Sequence, residues 1–218
     1  VTPGQVARRL LGPWFPYVGR IYRRLAVDLQ KVAEGFPRLP EGAHILDVGG
    51  GDGELMNYLL PLNPGVQATL IDIIPNLGEW IAPELRSRVD LLPNTSVTDL
   101  AAREHTHPDL VILSDVVHHV PMAERARLFE DLRGLLDGKA TKLVIKDVEP
   151  GSWRSKVLYL ADRYITGDPN VEFLPRTEMR RLVEGVFPGA TCLETNLFSR
   201  NAPNYCLVFS LTGKDAAT

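Results

Sequence analysis

Apolar positions along the chain follow two periods, and together they predict an ordered run of helices and strands. Trp14 to Phe36 repeats at three- and four-residue steps through Val18, Ile21, Tyr22, Leu25, Leu29 and Val32, the spacing of an amphipathic helix. Phe36 to Glu41, with Pro37 and Pro40, reads as a connector. Short apolar runs rich in β-branched residues come next at Ile45–Val48, Gln67–Ile71, Val89–Leu92, Leu110–Leu113 and Leu143–Ile145. Of these, Ile45–Val48 reads as a buried parallel strand and the others as the strands that follow it. Helical stretches alternate with them at Glu54–Leu60 and Pro75–Leu85, while Asn94–Asp99 reads as a polar turn. From Pro121 to Gly138 a clear amphipathic helix carries Leu128, Phe129, Leu132, Leu135 and Leu136 on one face. A long connection, Gly151–Pro175, holds an apolar, aromatic helix edged with basic residues, and Thr177–Val186 is a further helix capped by Thr177. Thr191–Phe198 and Tyr205–Leu211, joined by Arg200–Pro203, read as a closing antiparallel hairpin.

The first strand runs straight into Asp47-x-Gly49-x-Gly51-x-Gly53, with Gly50 between. Glycines permit positive φ and leave the backbone bare, and the helix N-terminus behind them offers N–H groups to a nucleotide-like ligand. The dinucleotide fingerprint Gly-x-Gly-x-x-Gly is not met, because Glu54 holds the place of its last glycine. That mismatch counts against a pyrophosphate. The acid Asp47 suits a ligand presenting an ammonium or sulfonium. Asp72 ends the second strand, where a carboxylate reaches the ribose hydroxyls of a nucleoside or simply caps the next helix.

The run His44 to Leu55 resembles the first motif of class I S-adenosylmethionine-dependent methyltransferases. Ser114-Asp115-Val116-Val117-His118-His119-Val120-Pro121 adds a second match. It resembles the fourth-strand motif of ubiquinone- and menaquinone-biosynthesis methyltransferases and of plant-type small-molecule O-methyltransferases. The resemblance implies an α/β fold: a Rossmann-like, seven-stranded, mostly parallel sheet with a C-terminal antiparallel hairpin and helices on both faces. It implies S-adenosyl-L-methionine as cofactor, with the Asp47 to Gly53 loop on its methionine part, Asp72 and Ile73 at the ribose, and Ser114 and Asp115 nearby. An acid expected after the third strand is missing near Ser96, Val97 and Thr98, so the adenine contact falls to those residues or to Asp99. His118 matches the general base. His119 is a second candidate, and either ring can instead hold the loop by bonding a backbone carbonyl. Candidate acceptor contacts are Tyr17, Tyr22, Trp153 and Tyr159, with Lys146 and Asp147 orienting the acceptor or pairing with each other.

Composition narrows the picture. At 218 residues and 24.2 kDa the chain suits one α/β domain, residues 41–218, with an acceptor cap near 151–176 and a helical arm or lid over 1–40. No apolar run approaches the roughly 18 residues of a membrane span, and no signal-peptide core opens the chain, so a cytoplasmic protein is expected. Cys192 and Cys206 sit out of register in the expected hairpin and are expected as free buried thiols; no structural zinc spacing is present, and no metal is expected. The net charge of −3 hides a basic arm (Arg8, Arg9, Arg20, Arg23, Arg24, Lys31 and Arg38 against Asp28 and Glu34) on an acidic body. An acidic body argues against nucleic acid, while the arm suits an anionic acceptor or weak contact with a membrane surface. The reading is O-methylation of a small apolar or aromatic acceptor carrying some negative charge. A nicotinamide-dependent oxidoreductase and a catalytically silent methyltransferase-like binding module are the alternatives. The oligomeric state stays open.

Overall fold

The computed structural model describes residues 28–103, 107–136, 140–163, 168, 170–195 and 203–211. Seven strands form one sheet: β1 His44–Val48, β2 Gln67–Asp72, β3 Val89–Pro93, β4 Leu110–Ser114, β5 Thr141–Val148, β6 Thr191–Thr195 and β7 Asn204–Leu211. Their order is β3-β2-β1-β4-β5-β7-β6. The first five pair in parallel, and β7 runs antiparallel to both β5 and β6. The expected sheet and closing hairpin are therefore present. Residues 196–202, between the hairpin strands, lie outside the described residues.

Strand side chains alternate between faces, and each face has its own core. Leu46, Val48, Val111, Leu113, Leu143, Ile145 and Phe209 pack under α3 (Val97–Arg103), α4 (Met122–Leu136) and α6 (Arg176–Val186). On the other face, Ile45, Ala68, Leu70, Ile112, Val144 and Val208 pack with α1 (Leu29–Gly35), α2 (Met56–Leu59) and Leu77 and Ile81. The remaining helix, α5 (Trp153–Ala161), starts from a Ser152 cap that accepts the Ser155 N–H at 3.0 Å. The arm helix is seen only as α1, capped by Asp28; its earlier part, with Tyr17 and Tyr22, lies outside the described residues.

Several sequence expectations are corrected. Pro75–Leu85 is not a helix; residues 73–82 are irregular, and a 3-10 turn comes after them at Pro83–Arg88. Tertiary bonds win here: Gly78 N–H donates to Gly51 O, Trp80 N–H to Asp52 O, and the Asn57 side chain bonds Trp80 O and Ala82 N–H, both at 2.8 Å. Asn94–Asp99 is not all turn, because Ser96 and Asp99 form a reciprocal cap that starts α3 at Val97. Pro175, not Thr177, occupies the cap position of α6. Strand β5 runs past Ile145 to Val148, which puts Lys146 and Asp147 inside the sheet. Cys192 faces Phe209 and Cys206 faces Thr195 across the hairpin, and neither forms a disulfide, Cys206 buried and Cys192 half-buried.

Candidate active site

The sheet reverses its order at β1, between β2 and β4, and ligands of open α/β sheets bind beyond the strand tips at such a point. At the β1 tip the glycines divide their labour. A Cβ at Gly49, where φ is +73°, would sit 2.5 Å from Val116 Cγ2, so that residue is bare to let the β4 loop close against it. At Gly51, φ +53°, a Cβ would meet nothing closer than Gly49 O at 3.9 Å, and this is where the loop lies open to a ligand. The loop is tied to β2: Ile71 O accepts from Gly49 and Gly50, and Asp72 Oδ2 accepts the Gly51 N–H at 2.9 Å.

The electrostatics of this hollow favour a cation. Burial pushes the Asp47 carboxyl up to about 7, and the neighbouring Asp72 and Asp52 add to it. Beside Asp72, Ile73 is 75% exposed and Ile74 40%, an apolar surface next to that carboxylate. Asn94 N–H and Thr95 N–H bond Ile74 O and Asp72 O, bringing the turn after β3 alongside. A bare cradle, a cation-deficient acid cluster and an apolar ledge together fit S-adenosylmethionine, with its ammonium, sulfonium and adenine. Of the adenine candidates, Val97 is buried in the core, Thr98 bonds Asp131 on α4, and Ser96 and Asp99 cap α3.

At the β4 tip, Ser114 is half-buried in register with Lys146, and Asp115 turns the chain with φ +59° into a 3-10 turn at Val117–His119. His118 is buried, with 3% of its surface exposed. Its Nδ1 lies 2.6 Å from Asp147 Oδ1, and its Nε2 faces Asp162 Oδ2 at 3.8 Å. Asp147 also accepts the Val148 N–H on that same Oδ1, leaving a buried Oδ2 without a partner among the described residues. Burial alone would lower the His118 pKa, but the carboxylates of Asp147, Asp115 and Asp162 outweigh it and raise it. His119 stacks on His118 at 4.1 Å between centroids and bonds Asp168 through Nδ1 at 2.7 Å. Both rings thus bond carboxylates through Nδ1.

Lys146 and Asp147 do not pair with each other, because neighbours on a strand point to opposite faces. Lys146 pairs with Asp115, and Asp147 with His118. Asp115, His118 and Asp147 bring ligand atoms within 4.8 Å of one another, the spacing a metal needs. With a buried ammonium on one member and a hydrogen bond joining the other two, the set suits proton chemistry rather than a bound cation.

The connection from β5 to α6 reaches this edge. Tyr159 on α5 meets Phe173 edge-on at 6.1 Å, and Phe173 meets His118 edge-on at 5.2 Å. Trp153 is 71% exposed under the guanidinium of Arg154, on the outside of α5. Sequence reasoning missed Asp52, Arg125, Asp162, Asp168 and Phe173. The last three stand in the long connection with no motif around them.

The sequence model of the family described as "Methyltransferase domain" matches residues 17–186. O-demethylpuromycin-O-methyltransferase of Streptomyces alboniger is 25% identical over 124 residues, 56% of this chain but 33% of that protein. Two solved structures share the fold. A putative O-methyltransferase from Nostoc punctiforme PCC 73102 superposes with TM-score 0.67 at 16% identity, covering 90% of this chain and 60% of that one. Human N-acetylserotonin methyltransferase, solved in complex with SAM, gives 0.66 at 16% identity, with 95% and 58% covered. The chain therefore spans about a third of the curated relative and about three fifths of these structures. With a family match over most of its length and the seven-stranded sheet in place, the chain belongs to the methyltransferase-domain family.

Proposed function

We propose that the chain is an S-adenosylmethionine-dependent methyltransferase that methylates a hydroxyl of a small, largely apolar metabolite, with His118 as general base. The observation that carries this is the His118–Asp147 pair at the β4 tip, across the switch point from the glycine cradle. An ionised Asp147 accepts from Nδ1–H, which leaves the lone pair on Nε2. That nitrogen faces the cap, where an acceptor hydroxyl would lie. S-adenosylmethionine, when bound, supplies a methyl group already activated on a sulfonium. What remains for the protein is alignment and exclusion of water, worth about 7–11 kcal/mol, with a positioned base adding roughly 10²–10⁴-fold in rate.

Gly51 and Asp47 hold the methionine end and Asp72 the ribose, through carboxylate lone pairs its two backbone bonds leave over. The connection near 151–176 is the acceptor cap, with Tyr159 and Phe173 as its aromatic floor. Asp115, Asp147, Asp162 and Asp168 around the histidines favour a neutral, donor-bearing acceptor over the anionic one expected from the basic residues in sequence. Arg154 and Lys156 are exposed on α5. No helix among the described residues is long and apolar enough to cross a membrane. The test is calorimetry with S-adenosylhomocysteine against NAD, then transfer of labelled methyl into cell extract. Binding of the first alone, with label transfer that His118→Ala abolishes, is expected. NAD binding would restore the oxidoreductase alternative, and cofactor binding without any transfer the silent module.

A further inference from the structure

We infer that Arg125 is a positioning residue for the His118 base: its guanidinium fork holds the turn that presents the imidazole, and its charge offsets the carboxylates around that ring. This rests on the reading of His118 given above.

Arg125 stands in the first turns of α4 and is 1% exposed. It is a costly place for a cation, since the N-terminal end of a helix carries the positive end of its dipole and burial strips the guanidinium of water. A leucine would fill that space more cheaply, so the structure must use the fork. Nε donates to Val120 O at 2.9 Å, one residue past the histidines, and Nη2 donates to Glu172 O at 2.6 Å. Glu172 N–H in turn donates to His118 O at 3.0 Å, and Phe173 beside it packs its ring on His118. One side chain therefore joins α4, the histidine turn and the cap segment 171–175. The main chain leaving His118 is held at two points, its own carbonyl through Glu172 and Val120 O through Arg125.

The charge matters as well as the reach. The groups facing His118 are Asp147 from β5, Asp115 from the β4 tip and Asp162 from the end of α5, with His119 and its partner Asp168 alongside. Lys146 is paired to Asp115, and Arg125 lies within electrostatic reach of Asp147, Glu172 and Tyr205. Without Arg125 the carboxylates act less opposed, and the imidazole holds its proton more tightly. A lysine keeps the charge but has no planar fork to span two carbonyls.

The full chain, wild type and with Arg125→Met or Arg125→Lys, is titrated by NMR of the histidine rings, His118 being assigned by its loss in His118→Gln. The expected result is an upward shift of the His118 midpoint in Arg125→Met and a smaller one in Arg125→Lys. Both variants should show altered His118 ring shifts and unchanged S-adenosylhomocysteine affinity by calorimetry. An unmoved midpoint and unmoved ring signals overturn the inference. If Arg125→Met fails to fold, Arg125→Lys decides alone: altered ring signals support it and wild-type signals refute it. Because His118 is read directly, the two readings fail separately. A moved imidazole in a protein that His118→Gln leaves fully active retains Arg125 as a positioner and removes His118 as the base.

Discussion

The hydrogen bond between His118 and Asp147 sets both the direction and the strength of the proposed base. An amide in place of the carboxylate would donate to Nδ1 and move the ring proton to Nε2, the nitrogen that must accept. Asp147→Asn is therefore expected to cost roughly 10²–10⁴-fold in turnover with cofactor affinity retained, measured by initial rates and calorimetry. Because the folded His118 pKa is raised above 6.5, turnover should climb as pH passes a value above 6.5, and a limb below it would contradict the assignment. The same raised pKa stabilises the fold fully below 6.5 and ceases to do so as pH passes the folded value. Asp47 acts in the same sense. Its carboxyl is raised from 3.8 to about 7, so the unliganded fold loses stability as pH rises through that window, where the unfolded chain has already released the proton. A cation in the cradle favours the ionised acid. S-adenosylhomocysteine, which carries an ammonium, should thus bind more tightly as pH rises to about 7, with proton release seen by calorimetry in two buffers.

Among the elements, the irregular segment 73–82 does the work a helix was expected to do. Its main chain is spent on the glycine loop through Gly78 and Trp80, and Asn57 on α2 clamps it with a donor and an acceptor. Helical bonds would have used the same groups. Asn57→Ala leaves the Trp80 carbonyl and the Ala82 N–H without that partner, at a cost of about 1–3 kcal/mol in denaturant unfolding. The loss should be accompanied by weaker cofactor-analogue binding, because the segment buttresses the cradle; full affinity in a destabilised protein would refute that coupling. Ser96 shows the converse case, a polar residue whose side chain starts a helix. Ser96→Ala should cost about 1 kcal/mol of stability. If it abolished cofactor binding without destabilising the fold, the adenine contact would return to Ser96.

For the whole molecule, the cradle and the histidine turn belong to different strands and to both cores, so ligand binding should stabilise the fold as a unit. At a hundredfold excess over Kd, S-adenosylhomocysteine is expected to add about 2.7 kcal/mol, read as a rise in Tm that Asp72→Ala diminishes. The central strands β1, β2, β4 and β5 were legible because burial on both faces leaves apolar runs, whereas edge strand β3 is largely exposed, and the cradle was legible because only glycine tolerates its backbone. The histidine pair was legible from the motif around it.

The sequence alone determined the order of the strands, the closing hairpin, the cradle and the position of His118, since each depends on local periodicity or on a residue type that nothing else replaces. Only the tertiary structure decided the rest: that Lys146 and Asp147 turn to opposite faces, and that residues 73–82 surrender a helix to bond the glycine loop. It also brought Asp162 and Phe173 to one imidazole from separate elements, with Arg125 bonded to the main chain beside it. Those contacts join positions far apart along the chain, where no pattern of neighbours carries the information.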